Sequence, residues 1–272
     1  MSSESRESYT AASERLTAFG RTAEVAELVA VAEGILAVAV LLRREPRLRR
    51  ALTDPARSGD DRAGLVRSLL GGKMPATAVE LLAGLAVGRW SAPRELLDAT
   101  ERLAVDALLV TADQAGELAE VEDELFRFGQ VVSGDPELAA VLGDVSVTAE
   151  RRATLVRELL KGKVRLSTGR LVEVALAGFG GRGFESSLIR LVEATAAKRD
   201  REVAYVTVAR MLSDADEQRL AAKLSEMYGR QVSLKIEVDP KIIGGVSVKI
   251  GSDLYDGTIL RRLTEARQAF AR

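Results

Sequence analysis

Moved by 90 positions, the stretch EPRLRRALTDPARSGDDRAGLVRSLLGGK (residues 45–73) lies without a gap on DPELAAVLGDVSVTAERRATLVRELLKGK (residues 135–163). Thirteen of these 29 positions are identical, including Pro46/Pro136, Leu52/Leu142, Asp54/Asp144, Arg62/Arg152, Leu65/Leu155, Arg67/Arg157, Leu69/Leu159 and Lys73/Lys163. The register extends back to Glu27/Glu117 and Leu28/Leu118. Sequences this alike must take the same local structure, so much of the chain has to be one supersecondary unit built twice.

That unit reads as helical. In the second copy Leu118, Val121, Leu125, Phe128 and Val132 recur at steps of three and four, the spacing that places side chains on one face of a helix. Gly134 and Pro136 then stop the helix. Further helices are expected at 62–70 and 152–160, and each copy continues as helix, glycine-containing turn and helix. Two helical bundles in series follow. The most apolar run, Val25 to Leu42, is interrupted by Glu27, Glu33 and Gly34 and is shorter than the roughly 20 residues of a bilayer span. It is read as a buried helix, with no membrane span.

Composition removes most chemistry from such bundles. Histidine and cysteine are both absent, which excludes disulfides, thiolate nucleophiles, histidine-based triads and the usual zinc sites. With 39 basic and 40 acidic residues, the chain lacks the positive field that non-specific nucleic-acid binding needs. The opening MSSESRESY carries Glu4 and Glu7 and does not have the form of a secretory signal.

Two glycine motifs invite a nucleotide. GFGGRG, Gly178–Gly183, fits G-x-G-x-x-G by letter, and a dinucleotide-binding enzyme built on it is the catalytic alternative. The fingerprint works only where a strand enters the turn, and the preceding TGRLVEVALA aligns with TAVELLAGLA, helical in the other copy. The motif is therefore read as a helix-joining turn. GGK at 71–73 and KGK at 161–163 lack the Ser or Thr of a phosphate loop and read as helix ends. No cofactor or metal is expected, and Trp90 is read as a core or interface residue.

The copies differ most in charge. RREPRLRR places Arg43, Arg44, Arg47, Arg49 and Arg50 at one corner, where the second copy has Ser133, Gly134, Glu137, Ala139 and Ala140. A basic corner can be a solvated helix end or a contact for an acidic partner.

From Glu202 the period changes from 3.6 to 2. EVAYVTVAR is rich in strand-forming residues, and Ser213 should cap a helix that turns Leu220, Leu224, Met227 and Tyr228 inward and ends at Gly229. QVSLKIEVD is a second strand, and DPKIIGG should return it as a hairpin into VSVKI. Gly244 and Gly245 supply the backbone freedom of that return. A last helix, capped by Asp256, should carry Ile259, Leu263, Ala266 and Phe270. The fold class is therefore mainly α: a first helical module over 1–112, a second over 113–200 repeating about 27–104, and an α/β unit with a β-hairpin over 201–272.

The run VDPKIIGGVSVKIGSDLYDGTILRRL resembles the C-terminal signature of the delta subunit of bacterial F-type ATP synthase, whose mitochondrial relative is the oligomycin-sensitivity-conferring protein. The residues carrying the resemblance are Asp239, Pro240, Ile243, Gly244, Gly245, Gly251 and Asp256. ALAGFGGRGFESSLIRLVEA and the opening SRESYTAASERLTAFG are similar to the family's helix–turn–helix and first helix. The resemblance implies a non-catalytic stator subunit, peripheral on the cytoplasmic face of the cell membrane, within a hetero-oligomer. Its helical domain would hold the N-termini of the α subunits at the top of the catalytic head, and its C-terminal unit the b subunit of the peripheral stalk. The family ordinarily has one helical domain before that unit. Which of the two copies meets the head is open at this stage, as is a free helical-repeat scaffold.

Overall fold

The computed structural model describes residues 3–259 and 261. It is mainly helical, with a small mixed sheet near the C-terminus, and it divides into two compact units between Leu191 and Val192.

The first unit is built on α1 (Ser3–Gly20), α2 (Val25–Arg44), α3 (Pro46–Leu52), α4 (Gly59–Leu70), α5 (Ala76–Val87) and α6 (Pro93–Gln114). It continues through α7 (Leu118–Gly134), α8 (Pro136–Gly143), α9 (Ala149–Leu160), α10 (Leu166–Leu176), a 3₁₀ turn (Phe179–Gly181) and the start of α11 (Phe184–Lys198). The sequence repeat is repeated in structure. Helix α9 begins and ends 90 residues after α4, and α10 begins 90 after α5. The hydroxyls of Ser58 and Thr148 cap α4 and α9 by accepting from the amides of Asp61 and Arg151, satisfying donors the first turn leaves free. The GGK and KGK segments are helix ends, with Gly72 at φ +73° and Gly162 at +70°.

Arg62 and Arg152 are the least expected identities, because both are buried. Arg62 donates to five carbonyl oxygens: Ala86, Asp54, Arg57, Val87 and Gly88, at 2.7–3.0 Å. A guanidinium satisfied this way ties the loop before α4 to the end of α5 and compensates its own desolvation. Arg152 donates from Nη1 to the Leu142 carbonyl at 2.5 Å, while its Nε has no hydrogen-bond partner.

Helix α6 belongs to both bundles. It packs on α1, α2, α3 and α5 of the first copy and on α7, α10 and the 3₁₀ turn of the second. Its buried residues include Leu97, Leu103, Ala104, Val105, Leu108 and Val110, which face in all directions around a 3.6-residue turn. Helices α1, α6 and α11 begin at residues 3, 93 and 184, so α6 closes the first bundle and opens the second. The second bundle is completed by α11, where Phe184 meets Phe128 of α7 edge to face, centroids 6.3 Å apart.

Helix α2 is longer than the sequence run suggested. Its 20 residues are long and apolar enough to cross a membrane by length and composition. In the fold, Leu28, Val31, Ile35, Val38 and Leu42 are buried, and α2 packs on α6.

A charge exchange separates the copies. Arg67 and Glu80 form a two-pronged ion pair at 2.7 Å within the first bundle, and Arg67 holds the Glu80 carboxyl below its usual pKa. The counterpart of Glu80 is Arg170, which instead reaches Glu33 of the first copy at 2.6 Å. Arg157, the counterpart of Arg67, pairs with Glu173 at 3.1 Å.

In the second unit, β1 (Arg201–Val208), α12 (Asp214–Tyr228), β2 (Gln231–Val238), β3 (Val246–Ile250) and β4 (Asp253–Asp256) form a sheet of order β2-β1-β3-β4. Strands β1 and β2 are parallel, joined through α12, and β3 runs antiparallel to both β1 and β4. Ala204, Val206, Val208, Leu224, Val232, Val248 and Ile250 form the core. The hairpin expected between β2 and β3 does not exist, because β1 lies between them; the hairpin is β3–β4, turning at Gly251 with φ +55°. Ser213 caps α12 and Gly229 ends it at φ +66°, but Met227 is 55% exposed. Asp256 ends β4 and accepts from the Thr258 amide, while the Thr258 hydroxyl accepts from the Arg261 amide as a cap would. The expected stripe residues Leu263, Ala266 and Phe270 lie outside the described residues.

Candidate partner-binding surfaces

The signature residues other than Gly251 gather at the end of the sheet where β1 finishes. Asp239 donates its amide to the Val208 carbonyl at 2.9 Å and accepts from the Lys241 amide at 2.9 Å, so it both ends β2 and turns the chain toward Pro240. Gly244 and Gly245 then pass against residues 257–259. The Gly257 amide donates to Val246 and the Ile259 amide to Gly244, each at 2.9 Å. Gly245 has φ +91°, and a Cβ there would meet the Gly257 carbonyl oxygen and lie 2.8 Å from the Thr258 Cα. Only glycine fits such an approach without displacement. The side-chain bond to Thr258, with its amide bond, holds the Asp256 carboxyl below the ordinary carboxylate range. Gly251 is at the opposite end of the sheet, in the β3–β4 turn. At the signature end Ile243 is 68% exposed, and Val238 and Ile259 are also exposed, an apolar patch beside a shaped loop.

The far end of the sheet has a polar cluster that the sequence reading did not single out. The Tyr228 hydroxyl lies 2.8 Å from an Asp253 oxygen and 3.1 Å from the Tyr255 hydroxyl. The bond with Tyr255, with Asp253 adding to it, raises the Tyr228 pKa above that of an ordinary phenol. In the helical unit, Tyr9 donates to Asp106 at 2.5 Å, and burial, then the Asp106 charge, raise its pKa in the same direction.

The five arginines of the basic corner divide by task. Arg43 turns inward to Glu101 at 2.5 Å, and Glu101 also accepts from the Gly180 amide at 3.4 Å. Arg49 donates to the carbonyls of Leu42 and Arg43, closing the end of α2. Arg44 forms an exposed pair with Glu150 of the second copy at 3.2 Å. Arg47 and Arg50 are exposed and are in no ion pair among the described residues. Leu48 and Leu52 of the same helix help to line a cleft of about 320 Å³ among α2, α3, α4, α5 and α6, almost wholly aliphatic in its walls.

GFGGRG is the joint between α10 and α11, with Gly178, Gly180 and Gly181 all at positive φ. No strand enters it, and a Cβ on Gly181 would meet the Arg94 guanidinium. These glycines fit the joint against α6, as a helix-joining turn requires. Trp90 is buried and donates its indole N–H to the Leu85 carbonyl at 2.9 Å.

Among the described residues no three or more acidic side chains are grouped so as to hold a metal ion. What the fold presents is a tandem helical-bundle protein with a small α/β unit, whose candidate sites are surfaces for other chains.

Comparison with known proteins narrows that class. A family model described as ATP synthase delta (OSCP) subunit matches residues 100–270. The chain is 60% identical over 268 residues to an ATP synthase subunit delta from Salinispora arenicola, 98% of each chain being covered. A relative of the same description from Streptomyces griseus is 44% identical over 271 residues, covering both chains fully. The chain belongs to the ATP synthase delta (OSCP) subunit family.

Proposed function

We propose that this chain is a non-catalytic stator subunit of an F-type ATP synthase, peripheral on the cytoplasmic face of the membrane. It links the N-termini of the α subunits, at the top of the catalytic head, to the b subunit of the peripheral stalk. The head is thereby kept from turning with the rotor, and proton-driven rotation is coupled to ATP synthesis. The observation that carries this reading is the extent of the family match, which begins within α6 and runs through the second bundle into the α/β unit. The second bundle, entered through α6, therefore corresponds to the family's ordinary helical domain and is the part that meets the head. The α/β unit, with the exposed Ile243 and Val238 beside its signature loop, holds the b subunit.

The test is reconstitution. Membranes carrying the ATP synthase but stripped of this chain should hydrolyse ATP without pumping protons, and adding the purified chain should restore ATP-driven proton uptake and return the head to the membrane. A purified chain that neither restores pumping nor comigrates with head or stalk would remove the reading and leave a free helical scaffold.

A further inference from the structure

The cleft of the first bundle is walled by hydrocarbon and carries one cation. Of its 13 lining residues 11 are Val, Leu or Ala, none is aromatic, and the other two are Thr100 and Lys73. Thr100 has no proton left for a ligand, because its hydroxyl donates to the Leu96 carbonyl at 2.8 Å within α6. A polar group carried inward would lose its water without gaining a partner. What can enter is a hydrocarbon chain, and the walls lack the aromatic faces on which a ring would stack.

The volume sets the length of that chain. About 150 Å³ of dry apolar cavity admits one benzene ring, so a cleft of about 320 Å³ has room for on the order of a dozen carbon atoms. Val38, Leu42, Ala86 and Thr100 are its buried lining, and it opens where Leu41, Leu69 and Lys73 are exposed. Lys73 is in no ion pair among the described residues. A few polar groups at the edge of an apolar pocket fix a ligand's orientation and class, and a lone ammonium at this opening selects an anionic head on a hydrocarbon tail.

We infer that the cleft binds a free fatty acid of about twelve carbons, its tail among α2 to α6 and its carboxylate at Lys73. The site stands independently of the stator reading above. The repeat also shows how to close it. Val38 and Ala86 are matched in the second copy by Phe128 and Leu176, both larger and both buried. The opposite differences, Leu41, Leu42 and Leu82 against Val131, Val132 and Val172, are of one methylene each.

The test is isothermal titration of the full-length chain with straight-chain acids from octanoate to tetradecanoate, each below its micellar concentration. Dodecanoate should fill a single saturable site. Affinity should rise about fourfold per methylene, the ratio that burying one CH₂ gives, and level off near dodecanoate, where the cleft is full. Ala86→Leu, which copies the second bundle, should weaken dodecanoate about tenfold or more. Lys73→Gln should weaken dodecanoate about threefold, as loss of an exposed charge pair does, and leave dodecanol unchanged. Unchanged melting would show that both variants are folded, and if Ala86→Leu does not fold, the wild-type chain-length series still decides. No saturable binding, affinity that climbs without a break through tetradecanoate, or dodecanoate held equally well by folded Ala86→Leu would overturn the site. Equal loss of dodecanoate and dodecanol in Lys73→Gln, or loss of neither, would overturn the place of the carboxylate. Tighter binding to phosphatidylglycerol vesicles than to dodecanoate, lost in Ala86→Leu, would give the cleft to a membrane lipid and overturn the free acid.

Discussion

Replacing Gly245 with alanine asks the most of the signature loop. The residue sits at φ +91°, and its new Cβ would meet the Gly257 carbonyl oxygen and lie 2.8 Å from the Thr258 Cα, backbone atoms that no rotamer change can move. Left-handed backbone alone costs a non-glycine residue about 1–3 kcal/mol. To admit the methyl group, residues 257–259 must draw back from β3, which loosens the bonds from Gly257 to Val246 and from Ile259 to Gly244. Losing both adds about 1–3 kcal/mol, for a total of about 2–6 kcal/mol on the α/β unit. In a unit of this size each kcal/mol lowers the melting temperature by about 4–8 °C, so its transition should fall by roughly 10 °C or more. The chain carries its own reporters: Trp90, its single tryptophan, is in the helical unit, whereas Tyr205, Tyr228 and Tyr255, three of its four tyrosines, are in the α/β unit. Tyrosine near-ultraviolet circular dichroism should show the early transition and Trp90 fluorescence should not. Gly229→Ala is the control, because φ there is also positive, at +66°, but nothing lies within 4 Å of the added atom; it should cost about 1 kcal/mol. If the Gly245 variant melts no earlier than the Gly229 variant, the steric account of the signature is wrong.

Three further outcomes are expected. Arg62→Leu should destabilise the helical unit by about 3 kcal/mol or more, because five carbonyls lose a charged donor, and Arg152→Leu by roughly 1–2 kcal/mol; urea unfolding followed by Trp90 fluorescence compares them. The Asp256 carboxyl is held below its unfolded value, so the order it gives residues 256–258 is fully present above the usual carboxylate pKa of about 3.9 and is lost as pH falls through the lower folded value. A fall in the protection of the Thr258 amide relative to its intrinsic exchange rate as pH drops, its pH dependence abolished in Asp256→Asn, would show it by NMR. Isothermal titration of the chain with magnesium ATP should give no saturable heat, and stoichiometric micromolar binding would require a nucleotide site that the glycine motifs do not form.

The repeat made the helical half readable because both copies keep the same caps, glycine stops and apolar spacing, and α9 and α10 begin where α4 and α5 predict. The double use of α6 was not legible. A helix buried all round loses the amphipathic stripe that tells which bundle it serves. In the α/β unit, period 2 assigns faces and not neighbours, so β2 and β3, consecutive in sequence, read as partners. The signal for the true order was in EVAYVTVAR, where Val203 and Ala204, adjacent and therefore on opposite faces, are both buried, as in a strand covered on both sides. Strand β4 escaped notice because DLYD, a short edge with Leu254 and Tyr255 exposed, carries no buried alternation. The task of Arg49 was hidden for another reason: its bonds go back to carbonyls at the end of α2, and a run of arginines does not show which one folds inward.

The shared helix also sets how a chain of this design can change in length. Since α6 closes one bundle while opening the next, each added repeat brings five helices, about 90 residues, and borrows its sixth from the neighbour before it. Two bundles therefore stand on one helix fewer than two separate domains would need, and there is no joint between them at which a cut spares both. A shortening that leaves the second bundle whole must keep α6 and can remove only what precedes Pro93, a few residues before the family match begins at position 100.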